Sequence, residues 1–140
     1  AAHHQIVLTT GRPPNLGRNT ITPMFGPVIN QISFELGSLG ELRSAFAYLS
    51  EAGVAEIMPA NHGTAWSLYF DDPEGNKIEF FVDTDWYCHQ PIMEPLDFSL
   101  EDEAIAILTK TLCEQREGFQ PVHEWRQTIA RKMVSANGAQ

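Results

Sequence analysis

Polar and aromatic side chains alternate along three segments of the sequence, and their chemical types could form a small-molecule site. Residues 28–36, 65–70 and 77–83 each carry apolar residues at every second position, with Asn30 as the exception. This period predicts strands with one apolar face and one mixed face. The mixed faces carry amide, hydroxyl, carboxylate and aromatic groups, namely Gln31, Ser33, Glu35, Ser67, Tyr69, Lys77, Glu79 and Phe81. Such a face is either a solvated sheet surface or the lining of a cavity.

Two features of the mixed faces favour a cavity. Tyr69 and Phe81 are costly to expose to water, and Gln31 and Ser33 carry no charge that would help to dissolve a surface. A few convergent polar groups among aromatic side chains are also the usual composition of a small-molecule site. We therefore expect these residues to line a cup, with a solvated sheet face as the alternative.

The elements that must position these groups follow a β-α-β-β-β order. Ser38, with a glutamate three residues later, predicts a capped helix over residues 38–52. A weakly marked strand is expected near residues 55–59. The sequence DPEGN at 72–76 predicts a tight turn between the last two strands. This helix can cover only the apolar face of the sheet, so the mixed face remains available.

Two further helices are predicted after the sheet. Ser99 begins the first, which has acidic residues in its first turn and ends at Gly118, and Pro121 begins the second. A short strand is also expected at residues 4–10. The predicted fold class is therefore α+β: a βαβββ module with a mixed sheet, an additional N-terminal strand and C-terminal helices.

Composition limits the classes of function. A chain of 140 residues, 43% hydrophobic and 19% charged, is expected to form one globular unit. Eighteen acidic against nine basic residues give a net charge of −9, which argues against a surface that neutralises nucleic-acid phosphates. No apolar run reaches the roughly 20 residues of a membrane helix, and the first residues do not resemble a signal peptide. Cys88 and Cys113, in no CxxC pair, favour a cytoplasmic setting and indicate no zinc site.

A family resemblance is carried by residues 62–87, HGTAWSLYFDDPEGNKIEFFVDTDWY. Their aromatic strand, DPEGN turn and IEFF strand resemble the C-terminal signature of the vicinal oxygen chelate superfamily. That superfamily includes glyoxalase I, bleomycin-resistance proteins and extradiol ring-cleaving dioxygenases. Residues 29–53 are similar to the first strand and helix of the same module. HHQIVL at residues 3–8 resembles the last strand of a preceding module, and the tail is similar to dioxygenase-like members.

The resemblance implies two βαβββ modules that form a cup around a divalent metal. It places a metal-ligating carboxylate at Glu79, and it places Gln31 where a first-strand histidine ligand stands. Extradiol members bind Fe(II) through two histidines and one carboxylate, so Fe(II) or Mn(II) is the expected cofactor. The acid–base histidine matches His4, and the substrate-binding tyrosine matches Tyr69. His62 completes the catalytic candidates as a residue at the mouth of the cup, with a solvated loop histidine as the alternative.

The sequence departs from the extradiol pattern at two points. Gln31 offers a neutral amide in place of an imidazole, although glyoxalase I enzymes also use glutamine as a ligand. The first strand and helix of the first module, with another histidine ligand, are absent. We therefore expect a missing N-terminal segment or a second copy, in a homodimer, to complete the fold. Structural roles remain the alternatives: a surface carboxylate for Glu79, a structural or substrate-contacting amide for Gln31, and a buried phenol for Tyr69.

The leading functional hypothesis is an extradiol-dioxygenase-like metalloenzyme that cleaves a catecholic ring with dioxygen. In this hypothesis Glu79 holds the metal, Tyr69 binds the ring oxygens and His4 handles a proton. The alternatives are a metal-free binding protein of the bleomycin-resistance type, which Gln31 favours, and a glyoxalase-like isomerase or lyase. The expected ligand is a small aromatic compound, with no nucleic acid or membrane as partner.

The expected organisation has three parts. Residues 1–26 contain a strand and loop from a truncated preceding module, and residues 27–92 form the βαβββ module. Residues 93–140 form a C-terminal helical extension.

Overall fold

The computed structural model describes residues 31–137. The strand expected at residues 4–10, and with it His4, lies outside the described residues.

The described chain begins with the predicted β-α-β-β-β order. These elements are β1 (Ile32–Glu35), α1 (Leu39–Glu51), β2 (Met58–Asn61), β3 (Ala65–Asp71) and β4 (Lys77–Asp83). β1 runs parallel to β4, whereas β3 is antiparallel to both β4 and β2. The sheet is therefore mixed, and the predicted α+β class is confirmed.

Short strands and two helices follow the module. They are β5 (Trp86–Tyr87), β6 (Glu94–Pro95), α2 (Asp102–Glu114), β7 (Gln120–Pro121) and α3 (Val122–Asn137). β6 extends the main sheet to the order β1-β4-β3-β2-β6, and β5 pairs with β7 in a separate two-stranded sheet. Among the helices of residues 31–137, none is long and apolar enough to cross a membrane.

Helix α1 begins and ends where the sequence predicts. The Ser38 hydroxyl accepts the N–H of Glu41 at 3.2 Å, and the Glu41 carboxylate accepts the N–H of Gly37 at 2.9 Å. The first bond satisfies a backbone donor that the first helical turn leaves unpaired, and the second pairs the N–H of the residue before the cap. The helix ends at Ala52, and Gly53 follows it in the left-handed region with a φ of 75°. Glycine adopts this conformation without the steric penalty of a Cβ atom.

The main hydrophobic core lies between the sheet and the helices α1 and α2. Leucine side chains from the start of α1 pack against apolar side chains of β3, β4 and α2. The buried members are Leu39, Leu42, Leu68, Val82, Leu96 and Ile105. Around β3 and β4 the apolar face of the sheet is thus buried under helices, as predicted, which leaves the opposite face for the polar residues. On the edge strand β1, Ile32 and Phe34 of the same apolar face remain 40% and 50% exposed.

Strand β2 lies nearer to β3 than the sequence pattern predicts. The expected strand at residues 55–59 is observed at Met58–Asn61. Glu56 has a φ of 55°, and a left-handed residue interrupts an extended strand. Pairing therefore begins only after this residue.

Helix α2 begins later than the Ser99 signal predicts. The Asp97 carboxylate accepts the N–H of Ser99 at 2.8 Å, which forms a turn before the helix. The helix starts at Asp102 and ends at Glu114. Gly118, with a φ of 75°, lies in the following turn rather than at the helix end. A side chain that closes a local turn resembles a helix cap in sequence.

Candidate functional site

The mixed faces of three strands meet in one cluster, in which Glu79 is buried, Gln31 and Tyr69 are half-buried and Ser33 is exposed. Glu79 on β4 lies directly opposite Ser33 on β1 and Tyr69 on β3, so the three side chains share one face of the sheet. The Gln31 amide nitrogen donates to Glu79 Oε2 at 2.6 Å, and the Ser33 hydroxyl donates to the same oxygen at 2.5 Å. Glu79 is only 8% exposed. The carboxylate is therefore held among donors rather than solvated.

The orientation of the Gln31 amide follows from its partners. An ionised carboxylate can only accept hydrogen bonds, so the nitrogen of Gln31, and not its oxygen, must face Glu79. The same nitrogen lies 3.1 Å from the Ser33 hydroxyl oxygen. Two donors on one carboxylate oxygen fix the direction in which Glu79 points. In this arrangement Gln31 is a hydrogen-bond donor to Glu79.

Tyr69 and His62 form the second part of the cluster. The Tyr69 hydroxyl lies 3.0 Å from His62 Nε2, and His62 Nδ1 lies 2.6 Å from the carbonyl oxygen of Ile92. Burial raises the pKa of the Tyr69 phenol well above its usual range, and the nearby Glu79 carboxylate raises this pKa further. Tyr69 therefore remains protonated at neutral pH and can donate a hydrogen bond.

Ser67 adds a buried hydroxyl to the same face. It pairs with Ala60 on β2 and with Phe81 on β4, two positions before Tyr69. Its side chain is fully buried, and within residues 31–137 its oxygen has no hydrogen-bond partner. A buried polar atom without a partner is costly, but this hydroxyl is closed to solvent, so a ligand reaches it only when neighbouring side chains move. The sequence pattern places Ser67 on this face but does not mark it as a site residue.

The fit of a divalent metal can be judged from the donor set. In the described part of the chain, no group of three or more His, Cys, Asp or Glu side chains could hold a metal ion. Glu79 is the charged group of the cluster, and its neighbours Gln31 and Ser33 are neutral. An Fe(II) site of the extradiol kind needs two imidazoles besides the carboxylate. Residues 31–137 alone do not fit such a site, and the metal roles of Glu79 and Gln31 remain predictions.

Sequence reasoning missed the residues that support the turn carrying His62. The Asn61 amide nitrogen donates to the Thr109 hydroxyl at 2.8 Å, and the Asn61 amide oxygen accepts the N–H of Gly63 at 2.9 Å. Trp66 Nε1 donates to the same hydroxyl at 2.8 Å. Asn61 and Thr109 are 48 residues apart. No local pattern could have indicated this contact.

A recess lies on the helix-covered side of the sheet, away from the cluster around Glu79. It has a volume of about 400 Å³ and is lined by Arg43, Phe46, Ala47, Pro59, Leu96, Asp97, Phe98 and Ser99. The Arg43 guanidinium in this recess already has partners, because it donates to the carbonyls of Phe98 and Leu100 and to the Asp102 carboxylate. The charged group of this recess is therefore already paired, and the recess is a weaker candidate for a ligand site than the cluster around Glu79.

The comparisons with known proteins point to one family. "Biphenyl-2,3-diol 1,2-dioxygenase 3" of Rhodococcus globerulus is 32% identical over 81 residues, which cover 58% of this chain and 41% of the relative. "Biphenyl-2,3-diol 1,2-dioxygenase 2" of the same organism is 27% identical over 110 residues, which cover 76% of this chain and 47% of the relative. The chain thus spans less than half the length of these relatives. No solved structure matches it significantly.

The family itself is established by a sequence profile. The profile of the Glyoxalase/Bleomycin resistance protein/Dioxygenase superfamily matches residues 2–80, more than half of the chain. The mixed sheet and the β-α-β-β-β order are consistent with this match. The chain belongs to the Glyoxalase/Bleomycin resistance protein/Dioxygenase superfamily.

Proposed function

We propose that the cluster around Glu79 binds a small aromatic compound with adjacent hydroxyl groups, in a protein of the extradiol-dioxygenase kind. The observation that carries this proposal is the buried Glu79 carboxylate directly opposite the Tyr69 phenol. A carboxylate accepts hydrogen bonds, and a phenol oxygen can accept one as well. A catechol supplies two O–H donors on neighbouring carbons, which matches two neighbouring acceptors.

The surroundings of the two acceptors support an aromatic and uncharged ligand. The rings of Tyr69 and His62 meet edge to face with their centroids 5.9 Å apart, and Phe81 lies on the same face. A buried carboxylate repels an acidic ligand, and so does the net charge of −9. The names of the two Rhodococcus relatives, which refer to a biphenyl diol, support the same ligand class.

Ring cleavage with dioxygen is the finer form of this proposal. It requires a divalent metal, Fe(II) or Mn(II), whose ligands besides Glu79 come from outside residues 31–137. The role of the described residues is to bind and orient the diol. Glu79 accepts one ligand hydroxyl, and Tyr69 sets the position of the other.

A metal-free binding protein of the bleomycin-resistance type is the second candidate. The observation that favours it is the pair of donors, Gln31 and Ser33, on Glu79 Oε2. A metal ion would have to displace these two hydrogen bonds. Loss of both bonds would offset part of the gain from binding the ion.

The test is a calorimetric titration of the whole chain with biphenyl-2,3-diol under nitrogen. We expect saturable binding that Glu79→Gln weakens about 10- to 100-fold, because hydrogen bonds to a charged group contribute about 1.5–3 kcal/mol. Glu74→Gln, a matched change in the exposed turn before β4, should leave the affinity unchanged. Unsubstituted biphenyl should bind much more weakly.

Two results would contradict the binding proposal: no saturable binding of the diol, or equal binding by wild type and Glu79→Gln. Dioxygen uptake in the presence of Fe(II) then separates the two candidates. Uptake in proportion to the diol consumed supports the enzyme, and binding without uptake supports the metal-free binding protein.

A further inference from the structure

The side chain of Gln90, in the segment after β5, forms hydrogen bonds with the backbone of both His62 and Ile92. Gln90 Nε2 donates to the carbonyl oxygen of His62 at 2.8 Å, and Gln90 Oε1 accepts the N–H of Ile92 at 3.0 Å. The two ends of this amide cannot be exchanged, because a carbonyl oxygen only accepts and a peptide N–H only donates. Gln90 therefore ties His62 to Ile92, the residue whose carbonyl contacts the imidazole ring.

The carbonyl of Ile92 determines which ring nitrogen of His62 carries the proton. It lies 2.6 Å from Nδ1 and can only accept, so Nδ1 is the donor. A neutral imidazole has one N–H, which makes Nε2 an acceptor. The Tyr69 hydroxyl, 3.0 Å from Nε2, must then donate its proton to His62.

This direction of the Tyr69 hydrogen bond has a consequence for the ligand. With its proton committed to His62, the Tyr69 oxygen presents only lone pairs to the cluster. Glu79 also presents lone pairs, so the two groups favour a ligand with two donors. With the opposite tautomer, His62 would donate to Tyr69, and the Tyr69 proton would compete with a ligand hydroxyl for Glu79.

We propose that Gln90 is a positioning residue that, through Ile92, holds His62 as the Nδ1–H tautomer and so makes Tyr69 an acceptor for a ligand hydroxyl. Partners that fix the tautomer of a functional histidine are a common device in protein sites. The consequence for ligand choice rests on the proposed function. The tautomer itself exists without ligand and can be measured independently.

The experiment is a long-range proton–nitrogen NMR spectrum of the whole chain labelled with ¹⁵N-histidine, at about pH 8.5, where imidazole is neutral. His62→Asn identifies the signals of His62. In the wild type we expect an unprotonated Nε2 and a protonated Nδ1. In Gln90→Ala we expect the Nε2–H form to appear, whereas Gln127→Ala, the same change on the exposed side of α3, should leave the pattern unchanged.

The conservative variant Gln90→Glu provides a second test. Gln90→Glu retains an acceptor for the N–H of Ile92 but places a carboxylate oxygen against the carbonyl of His62. We expect this variant to lose the single tautomer as well, and both variants to bind biphenyl-2,3-diol about fivefold more weakly. Amide spectra of both variants establish that the fold is retained.

Two results would overturn the proposal. One is a wild-type His62 that carries its proton on Nε2, which needs no variant to fold. The other is a folded Gln90→Ala or Gln90→Glu protein with the wild-type tautomer. If the wild type shows the Nδ1–H form but does not bind the diol, the proposed function fails while the positioning role of Gln90 stands.

Discussion

Replacing Gly63 by alanine should destabilise the protein more than the same change at another left-handed glycine. Gly63 has a φ of 73°, and a Cβ atom there would lie 2.7 Å from Cys113 Sγ and 3.2 Å from Cys88 Sγ. Gly53 has a φ of 75°, and nothing lies within 4 Å of its added Cβ. The two positions share the backbone strain and differ in the steric clash.

The magnitude follows from the two contributions. A left-handed alanine costs about 1–2 kcal/mol, and the smaller entropy of the unfolded chain offsets about 0.4–1 kcal/mol of this at both positions. Overpacking against the two sulfur atoms adds about 1–3 kcal/mol at position 63 alone. Gly63→Ala should therefore lower the free energy of unfolding by about 1–3 kcal/mol more than Gly53→Ala does.

Urea denaturation followed by tryptophan fluorescence measures this difference. Cys113→Ala removes the nearer sulfur atom, so the additional penalty of Gly63→Ala should shrink in that background. Equal losses of stability in Gly63→Ala and Gly53→Ala would refute the packing of the thiols under Gly63.

Three further predictions concern the thiols, the phenol and the amide. Burial, followed by the hydrogen bond with Cys88, raises the pKa of Cys113 to about 12. Ellman's reagent at pH 8 should therefore label Cys113 only as the protein unfolds. Rapid labelling of Cys113 in the folded chain would contradict this prediction. The pKa of Tyr69 is raised on folding, so its contribution to stability is fully present below about pH 10 and is lost as the pH rises through the higher folded pKa. Tyr69→Phe should therefore flatten the fall in the free energy of unfolding above pH 10. An unchanged slope would count against the burial of this phenol. Gln31→His should raise Fe(II) affinity in an anaerobic titration, and Glu79→Gln should cancel the gain; no gain would mean that ligands from outside residues 31–137 decide metal binding.

Local patterns in the sequence predict the main parts of the fold. The Ser38 cap and Gly53 define α1, and the turn at residues 72–76 defines the β3–β4 hairpin. The two-residue period then assigns each side chain to a face, which places Tyr69 and Glu79 together. The parallel pairing of β1 with β4 is a long-range contact, and only the family resemblance indicated that Gln31 would lie near Glu79.

The remaining parts of the site depend on contacts that no local pattern encodes. Gln90 binds backbone atoms of His62, 28 residues earlier in the chain. Thr109 reaches Asn61 from a helix whose sequence shows only an amphipathic stripe. The start of α2 was misplaced for a related reason, because the carboxylate of Asp97 closes a turn at Ser99 before the helix begins.

The central claim is that the cluster around Glu79 binds a hydroxylated aromatic compound, and an NMR titration of the whole chain with biphenyl-2,3-diol tests it most directly. We predict saturable shifts of the backbone amides of Ser33, Ser67, Tyr69 and Glu79, together with the ring signals of His62. Absence of saturable shifts, or shifts confined to the recess between α1 and residues 96–99, would contradict the claim.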